Sequence, residues 1–311
     1  MTVSRTEAPD SVQMNHSDRK DSGRSTKHIR GILCMLAASC LFASGGLVLK
    51  WCDWNPLAIN GIRSFFGMLV IGGYILFTRR KVRWNKAVLF GAFSYVAMTT
   101  LFILSNRLTA AGNAIVLQLS CPVWIVLLNF LLYKKLPSKK QTAALLLILC
   151  GIICFFIDSL KSGNLAGDLL AILSGFFYAV MFMLNSIEGG DAISSVFIGQ
   201  IVAFLLLAPF SLSCSWTIQN FASIFWLGTF QVGFAYLFFC LETGLIHPLE
   251  ASLITAIEPI LNPMLVALFG FEQLSGLSLI GAAIVIGAVV WNSLPSGKEK
   301  SGERELAKAS N

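Results

Sequence analysis

Between residues 31 and 294 the hydrophobic positions gather into ten long runs separated by short polar breaks. The runs cover 31–50, 56–77, 87–105, 109–133, 141–157, 167–187, 192–212, 222–243, 247–269 and 275–294. Crossing a hydrocarbon layer roughly 30 Å thick takes about 20 apolar residues in an α-helix rising about 1.5 Å each. Each run therefore reads as a membrane-spanning helix, although 141–157 is short and 247–269 carries two acids. Helices suit lipid because they satisfy their backbone groups internally. The in-out alternation of barrel strands is absent.

Composition agrees with that pattern. Of 311 residues, 56% are hydrophobic and 13% charged, too apolar a balance for a water-soluble core. Residues 1–30 and 295–311 are polar and are expected to be disordered tails, with 158–166 a linker. The first run follows 30 polar residues, so it reads as a retained span rather than a signal peptide. "LAASC" at 36–40 lacks the leucine three residues before the cysteine that lipoprotein sites prefer. The net charge of +7 lies beside the spans and reads as membrane anchoring, with no nucleic-acid partner.

Sliding the chain against itself by 137 positions aligns Gly91 with Gly228, Phe102 with Phe239, Leu108 with Leu245, Ala114 with Ala251 and Pro122 with Pro259. Gly31 and Ala43 meet Gly167 and Ala179 at nearly the same offset. The chain thus reads as two five-helix halves, 31–157 and 167–294. With five spans in each, the second half must enter the membrane from the side opposite the first. Charge agrees: with the N-terminus inside, 19 of the 23 Lys and Arg fall on the cytoplasmic side. The homologous loops "RRKVRWNK" (79–86) and "SLSCSWTIQN" (211–220) then face opposite sides, and only the first is charged. The expected fold is an all-α integral membrane protein of ten transmembrane helices in two five-helix inverted repeats, an arrangement that recurs in secondary transporters.

"NAIVLQLSCPVWIVLLNFLLYKKL" (113–136) and "EASLITAIEPILNPMLVALFGFEQLS" (250–275) resemble the EamA repeat of the drug/metabolite transporter superfamily, as does the glycine-rich "LSLIGAAIVIGAVV" (277–290). The resemblance implies ten helices, both termini cytoplasmic, and proton-linked or gradient-driven movement of small metabolites. The glutamate that often ends the proline helix of this repeat is Glu272 in the second half, but Lys134 and Lys135 stand there in the first. The mid-helix acid is Glu258 in the second half and Cys121 in the first.

At 100° per residue, Ser252, Thr255, Glu258 and Asn262 share an arc of about 120° on the ninth run, opposite an apolar side. An acid inside a membrane costs about 2.5–3.5 kcal/mol on insertion scales, so Glu258 is a functional candidate. Arg63 lies roughly 10 Å deep from the outer side and Glu258 roughly 16 Å from the inner one, close enough in level to be partners. Either the two form a structural ion pair, or Glu258 carries a proton while Arg63 meets a substrate carboxylate. Ser174, Tyr178, Met181 and Asn185 follow one face of the sixth run, and Thr229, Tyr236, Cys240 and Thr243 one face of the eighth. Each face either lines a cavity or bonds to neighbouring helices. Gln118, the repeat mate of Thr255, is the first half's best lining candidate, whereas Gln231 projects away from Tyr236 in an ideal α-helix.

Three histidines, eight cysteines without a CxxC and no phosphate loop point away from a metal, a cofactor or a soluble-type enzyme. Cys52 and Cys214 share the outer side and pair only if they lie close. Small residues such as Ala283 and Gly287 suit close helix contact within a monomer or a homodimer. The sequence therefore reads as a secondary transporter of a small amino-acid-like or amphiphilic metabolite in a bacterial plasma membrane. Glu258, Arg63, Asn262, Thr255, Gln118, Tyr178 and Tyr236 are its candidate substrate or proton site, with membrane lipids and a proton as further partners. A flippase of lipids or lipid-linked precursors and a non-transporting membrane receptor or assembly protein are the alternatives.

Overall fold

A computed structural model describes residues 16–49, 51–109, 111–157, 164–268 and 275–294. Its helices are α1 (His16–Leu49), α2 (Pro56–Phe77), α3 (Lys86–Leu108), α4 (Ala111–Gln118), α5 (Cys121–Tyr133), α6 (Lys139–Phe156), α7 (Leu165–Met183), α8 (Ala192–Leu207), α9 (Ile218–Trp226), α10 (Ala235–Glu242), α11 (Pro248–Thr255), α12 (Glu258–Leu268) and α13 (Gly276–Ser293). A π-helical segment, Leu227–Phe234, joins α9 to α10. No named strand occurs among the described residues. The polar breaks in the sequence supply the helix starts. Asn55, Asn85, Asn164, Asp191 and Thr217 each cap one with a side-chain oxygen, and Ser138 forms a capping box with Gln141.

Six helical stretches among the described residues are long and apolar enough to cross a membrane: Thr26–Gly45, Pro56–Phe77, Lys86–Ser105, Leu165–Ser186, Ala192–Ser213 and Ile218–Glu242. The remaining four expected spans fall on α6, α13 and two interrupted helices. The fourth run divides into α4 and α5, and the ninth into α11 and α12. Both breaks sit immediately before the repeat-matched prolines. Pro122 and Pro259 bring no amide hydrogen, so the continuous ladder cannot pass them.

The two breaks share three backbone bonds at the repeat offset. Ser120 N–H donates to Leu117 O, Val123 to Ser120 O and Trp124 to Ser120 O, at 3.1, 2.9 and 3.2 Å. Their mates do the same: Ile257 donates to Ile254 O, Ile260 to Ile257 O and Leu261 to Ile257 O, at 3.1, 3.1 and 2.9 Å. The carbonyl of Gln118, close before the first break, lies against Gly175 of α7. A Cβ there would approach that oxygen to 2.6 Å, so only glycine permits the contact.

Helices of the first half pack mainly on helices of the second: α3 on α7 and α8, α2 on α8 and the π-helical segment, α1 on α10 and α12, and α6 on α13. Met35, Ile71, Tyr95, Ile148, Phe182 and Phe239 fill the core between them. Leu76, Phe93, Leu146, Leu205 and Ile280 point outward, as lipid-facing side chains do.

Polar contacts sort the connecting segments into two ends. At one end Arg80 pairs with Asp191 at 3.0 Å, Asn85 bonds Gly189 O, and Lys140 bonds the last turn of α13 at Asn292 O. At the other, Trp54 Nε1 donates to Ser215 O at 2.7 Å, Gln219 to Trp51 O, and Thr109 to Asp168. Helix α2 connects Trp54 to Arg80, so the charged loop 79–86 and its uncharged homologue 211–220 lie at opposite ends.

Residues 16–30, expected to belong to a disordered tail, continue α1; extending a nucleated helix costs little, and His28 Nε2 is held by Glu250 Oε2 at 3.1 Å. Within one chain Ala283 and Gly287 make no close contact: Ala283 is exposed and a Cβ on Gly287 would meet nothing. The tight seam is on another face, where a Cβ on Gly151 would approach Val285 to 2.8 Å and Gly281 O to 3.0 Å. Glu272, the C-terminal tail, residues 1–15 and most of the 158–166 linker lie outside the described residues.

Candidate functional site

A cavity of about 520 Å³ lies among α1, α2, α3, α4, α7, the π-helical segment, α10, α11 and α12. Leu49, Cys52, Trp54 and Pro56 line it toward the uncharged end, and Glu258, Asn262 and Gln118 line it farther in. Cys52 and Cys214 have free thiols and pack in one cluster with Trp54 and Ile224. Burial pushes the Cys52 thiol above its ordinary value.

All seven candidate residues line this single cavity: Arg63, Gln118, Tyr178, Tyr236, Thr255, Glu258 and Asn262. The rest of the polar stripes do not. Ser252 bonds its own helix at Leu249 O, Ser174 donates to Met98 O, and Asn185 reaches Thr243 O at the basic end. Met181 and Cys240 belong to the apolar core. Helix periodicity found the faces, and of the two stripes only Tyr178 on the sixth run and Tyr236 on the eighth line the cavity.

Arg63 is held by neutral oxygens. Its Nε and Nη2 donate to Asn60 Oδ1 at 3.0 and 2.8 Å, and its Nη1 donates to Gln231 Oε1 at 3.3 Å. Asn60, one helical turn before Arg63, donates in turn to Thr99 Oγ1 at 3.4 Å, and Gln231 donates to Phe42 O at 3.4 Å. This network spans α3, α2, the π-helical segment and α1. It brings no negative charge to the guanidinium, and no ion pair joins Arg63 to Glu258 among the described residues. The two groups stand apart in this structure. Level in the membrane says nothing about which way a side chain turns around its helix.

Gln231 enters the site for a structural reason. In an α-helix, five residues separate Gln231 from Tyr236 by roughly 140°. Ring closure at i→i+5 brings residues five apart nearly above one another, and both then face the cavity. Gly45 makes room, because a Cβ there would overlap Gln231 Nε2 at 1.8 Å.

Glu258 opens α12, immediately after the second break. Its carboxyl lines the cavity and no described side chain bonds it. An acid in the first turn of a half-helix is favoured by the unpaired amides there. Cys121 holds the matching place on α5 but is buried in the core cluster. Aromatic rings form much of the remaining wall. Tyr236 makes edge contacts with Phe42 at 4.9 Å and Tyr95 at 5.0 Å, and Tyr178 leans on Phe182 at 4.9 Å. Gln118 Nε2 donates to Ser174 Oγ at 2.8 Å, fixing its amide beside the first break.

Two polar groups passed over in the sequence stand out. Asn60 is the principal partner of Arg63, and its i, i+3 spacing on one helix was a usable signal. Glu242, the last residue of α10, is 0% exposed with neither carboxyl oxygen bonded. Nothing in the sequence reading singled it out.

A sequence profile described as the EamA-like transporter family matches twice, over residues 29–157 and 165–294. The chain belongs to the EamA-like transporter family. As such it is a multi-pass membrane protein of transporter type, with the cavity set between its two EamA units. Its fold is also that of a protein solved under the bare description "Crystal structure of protein", with a TM-score of 0.72 and 17% identity over 86% of this chain and 97% of that one. At that identity the likeness concerns the fold alone. No curated protein matches this EamA-like chain.

Proposed function

We propose that this EamA-like protein is a secondary transporter of small zwitterionic, amino-acid-like solutes. One observation carries the reading: a guanidinium with no counter-ion and a carboxyl with no partner line the same cavity without touching each other. Unpaired charges within a membrane are costly, and a ligand with a carboxylate and an ammonium would satisfy both. The fork of Arg63 suits a carboxylate, since two of its five N–H groups remain free after the Asn60 and Gln231 bonds. Glu258 takes the ammonium or, when the solute leaves, a proton. Tyr178, Tyr236, Gln118, Thr255 and Asn262 shape the remaining wall. A site of about 520 Å³ falls within the range of small-molecule pockets.

Ten spans in two inverted five-helix repeats fit this reading, with α4/α5 and α11/α12 each serving as one interrupted span. Opposite placement of the 79–86 and 211–220 loops supports the inversion. The basic end then faces the cytoplasm of a bacterial plasma membrane, and the cavity opens outward. Closure toward the inside rests on contacts such as Arg80–Asp191, Asn185–Thr243 and Tyr133–Ser186.

Uptake or efflux in proteoliposomes tests the proposal with a panel of amino acids, organic cations, sugars and short-chain lipids. Saturable transport is expected for one or more zwitterions, driven by a pH gradient and lost in Glu258→Gln. Movement of the lipids alone would make the protein a flippase. Full pH-driven transport by Glu258→Gln would remove the coupling role from Glu258.

A further inference from the structure

A second cavity of about 300 Å³ lies at the basic end, apart from the charged site, between the end of α5, the start of α6 and the start of α11. Its polar lining consists of Asn129, Lys135, Gln141 and His247, and no carboxylate is among its eight lining residues. Each polar group presents a donor. The oxygen of Gln141 already accepts from Ser138 N–H at 2.9 Å, leaving its amide nitrogen to donate. His247 Nδ1 accepts from Leu249 N–H at 3.3 Å, so in the neutral ring the proton resides on Nε2. Lys135 forms no ion pair with a described acid, and Glu250, the acid of neighbouring α11, is occupied by His28 at 3.1 Å.

Asn129 indicates that the cavity is more than a gap in packing. It is 8% exposed, lines the cavity, and has no bonded side-chain partner. Its amide is left free to bond an acceptor seated in the cavity among the four donors. The amides at the start of α11 add partial positive charge on the same side. The rim is apolar: Val126, Pro137 and Leu136 complete it, and Leu136 is 73% exposed. A compact anionic head with an apolar body attached fits these surroundings.

We infer that this cavity binds a phosphoryl group, supplied by an anionic phospholipid of the adjacent leaflet or by a soluble phosphate. It is distinct from the transport cavity and shares no lining residue with it. Basic pockets between helices at the cytoplasmic face are a recurrent setting for anionic headgroups.

The test uses the full chain purified in nonionic, phosphate-free detergent, with binding followed by thermophoresis. The probes are dioctanoyl phosphatidylglycerol, the zwitterionic dioctanoyl phosphatidylcholine and inorganic phosphate. Saturable binding of phosphatidylglycerol is expected, stronger than that of phosphatidylcholine. Lys135→Gln and Asn129→Ala should each weaken it about tenfold, the worth of one charged or buried hydrogen bond. Glu258→Gln should leave it unchanged. Competition by inorganic phosphate with the same sensitivity would assign a soluble source, and its failure to compete would assign the lipid. Lys135 is exposed, so its replacement tests the site even if Asn129→Ala does not fold. The inference is overturned if no probe binds saturably, or if Lys135→Gln binds as tightly as wild type.

Discussion

The break between α4 and α5 and the break between α11 and α12 share three backbone hydrogen bonds at one offset, yet only the second carries an acid. Cys121 and Glu258 are repeat mates at the first position after the break, one buried in the core and the other lining the cavity. The same contrast recurs sixteen residues earlier in each half. Ser105 and Glu242 are mates, both 0% exposed and both without side-chain partners, and again only the second half has a carboxyl. Duplication preserved the backbone device and left the acids to one half. The prolines are therefore architectural, since both halves need the interruption, whereas Glu258 is chemical.

The largest effect should come from making the two breaks alike. Glu258→Cys turns the second break into a copy of the first and is expected to abolish gradient-driven transport while the chain still inserts. Cys121→Glu makes the first resemble the second; it adds a second intramembrane acid at about 2.5–3.5 kcal/mol and should lower thermal stability. Combined with Glu258→Cys it should not restore transport, because position 121 faces the core. Restored transport in that double variant would show that the halves are interchangeable and break the comparison.

A smaller effect is expected at the other pair of mates. Glu242→Met replaces an unbonded buried carboxyl with an apolar side chain of similar length. It should raise unfolding stability by about 1–3 kcal/mol, read from the thermal midpoint of the purified protein. A fall of similar size would mean that Glu242 has a partner in the membrane.

The smallest effect concerns His247, which caps α11. Burial and the neighbouring Lys135 depress its pKa below the ordinary 6.5. Its neutral form is thus favoured by folding, and that contribution, present above pH 6.5, is lost as pH falls through the depressed value. The thermal midpoint should decline less between pH 7 and pH 5 in His247→Asn, which keeps a capping side chain, than in wild type.

Much of this was legible in the sequence, and the exceptions share a cause. Hydrophobic runs gave the helices because lipid tolerates few other backbones. The offset of 137 located both prolines, and through them both breaks. Seven residues chosen from helix faces, membrane depth and the repeat line one cavity, while other members of the same stripes, such as Ser174 and Asn185, bond neighbouring elements instead. Reading failed where a local change of helical pitch altered phase, as at Gln231, and depth alone left open whether Arg63 and Glu258 touch. Glu242 was missed because a terminal acid is usually solvated, and burial of a helix end depends on tertiary packing.

Charge matching in the cavity provides the most direct test. Equilibrium binding of a transported amino acid, its amide lacking the carboxylate and its analogue lacking the amine should be compared across wild type, Arg63→Gln and Glu258→Gln. Opposed, unpaired charges predict a crossed result. Arg63→Gln should weaken the parent amino acid about ten- to a hundredfold and leave the amide almost unaffected, and Glu258→Gln should do the same for the parent but not for the deaminated analogue. Equal losses for every ligand in both variants would contradict the account, since the two charges would then support the fold rather than recognise the two ends of a solute.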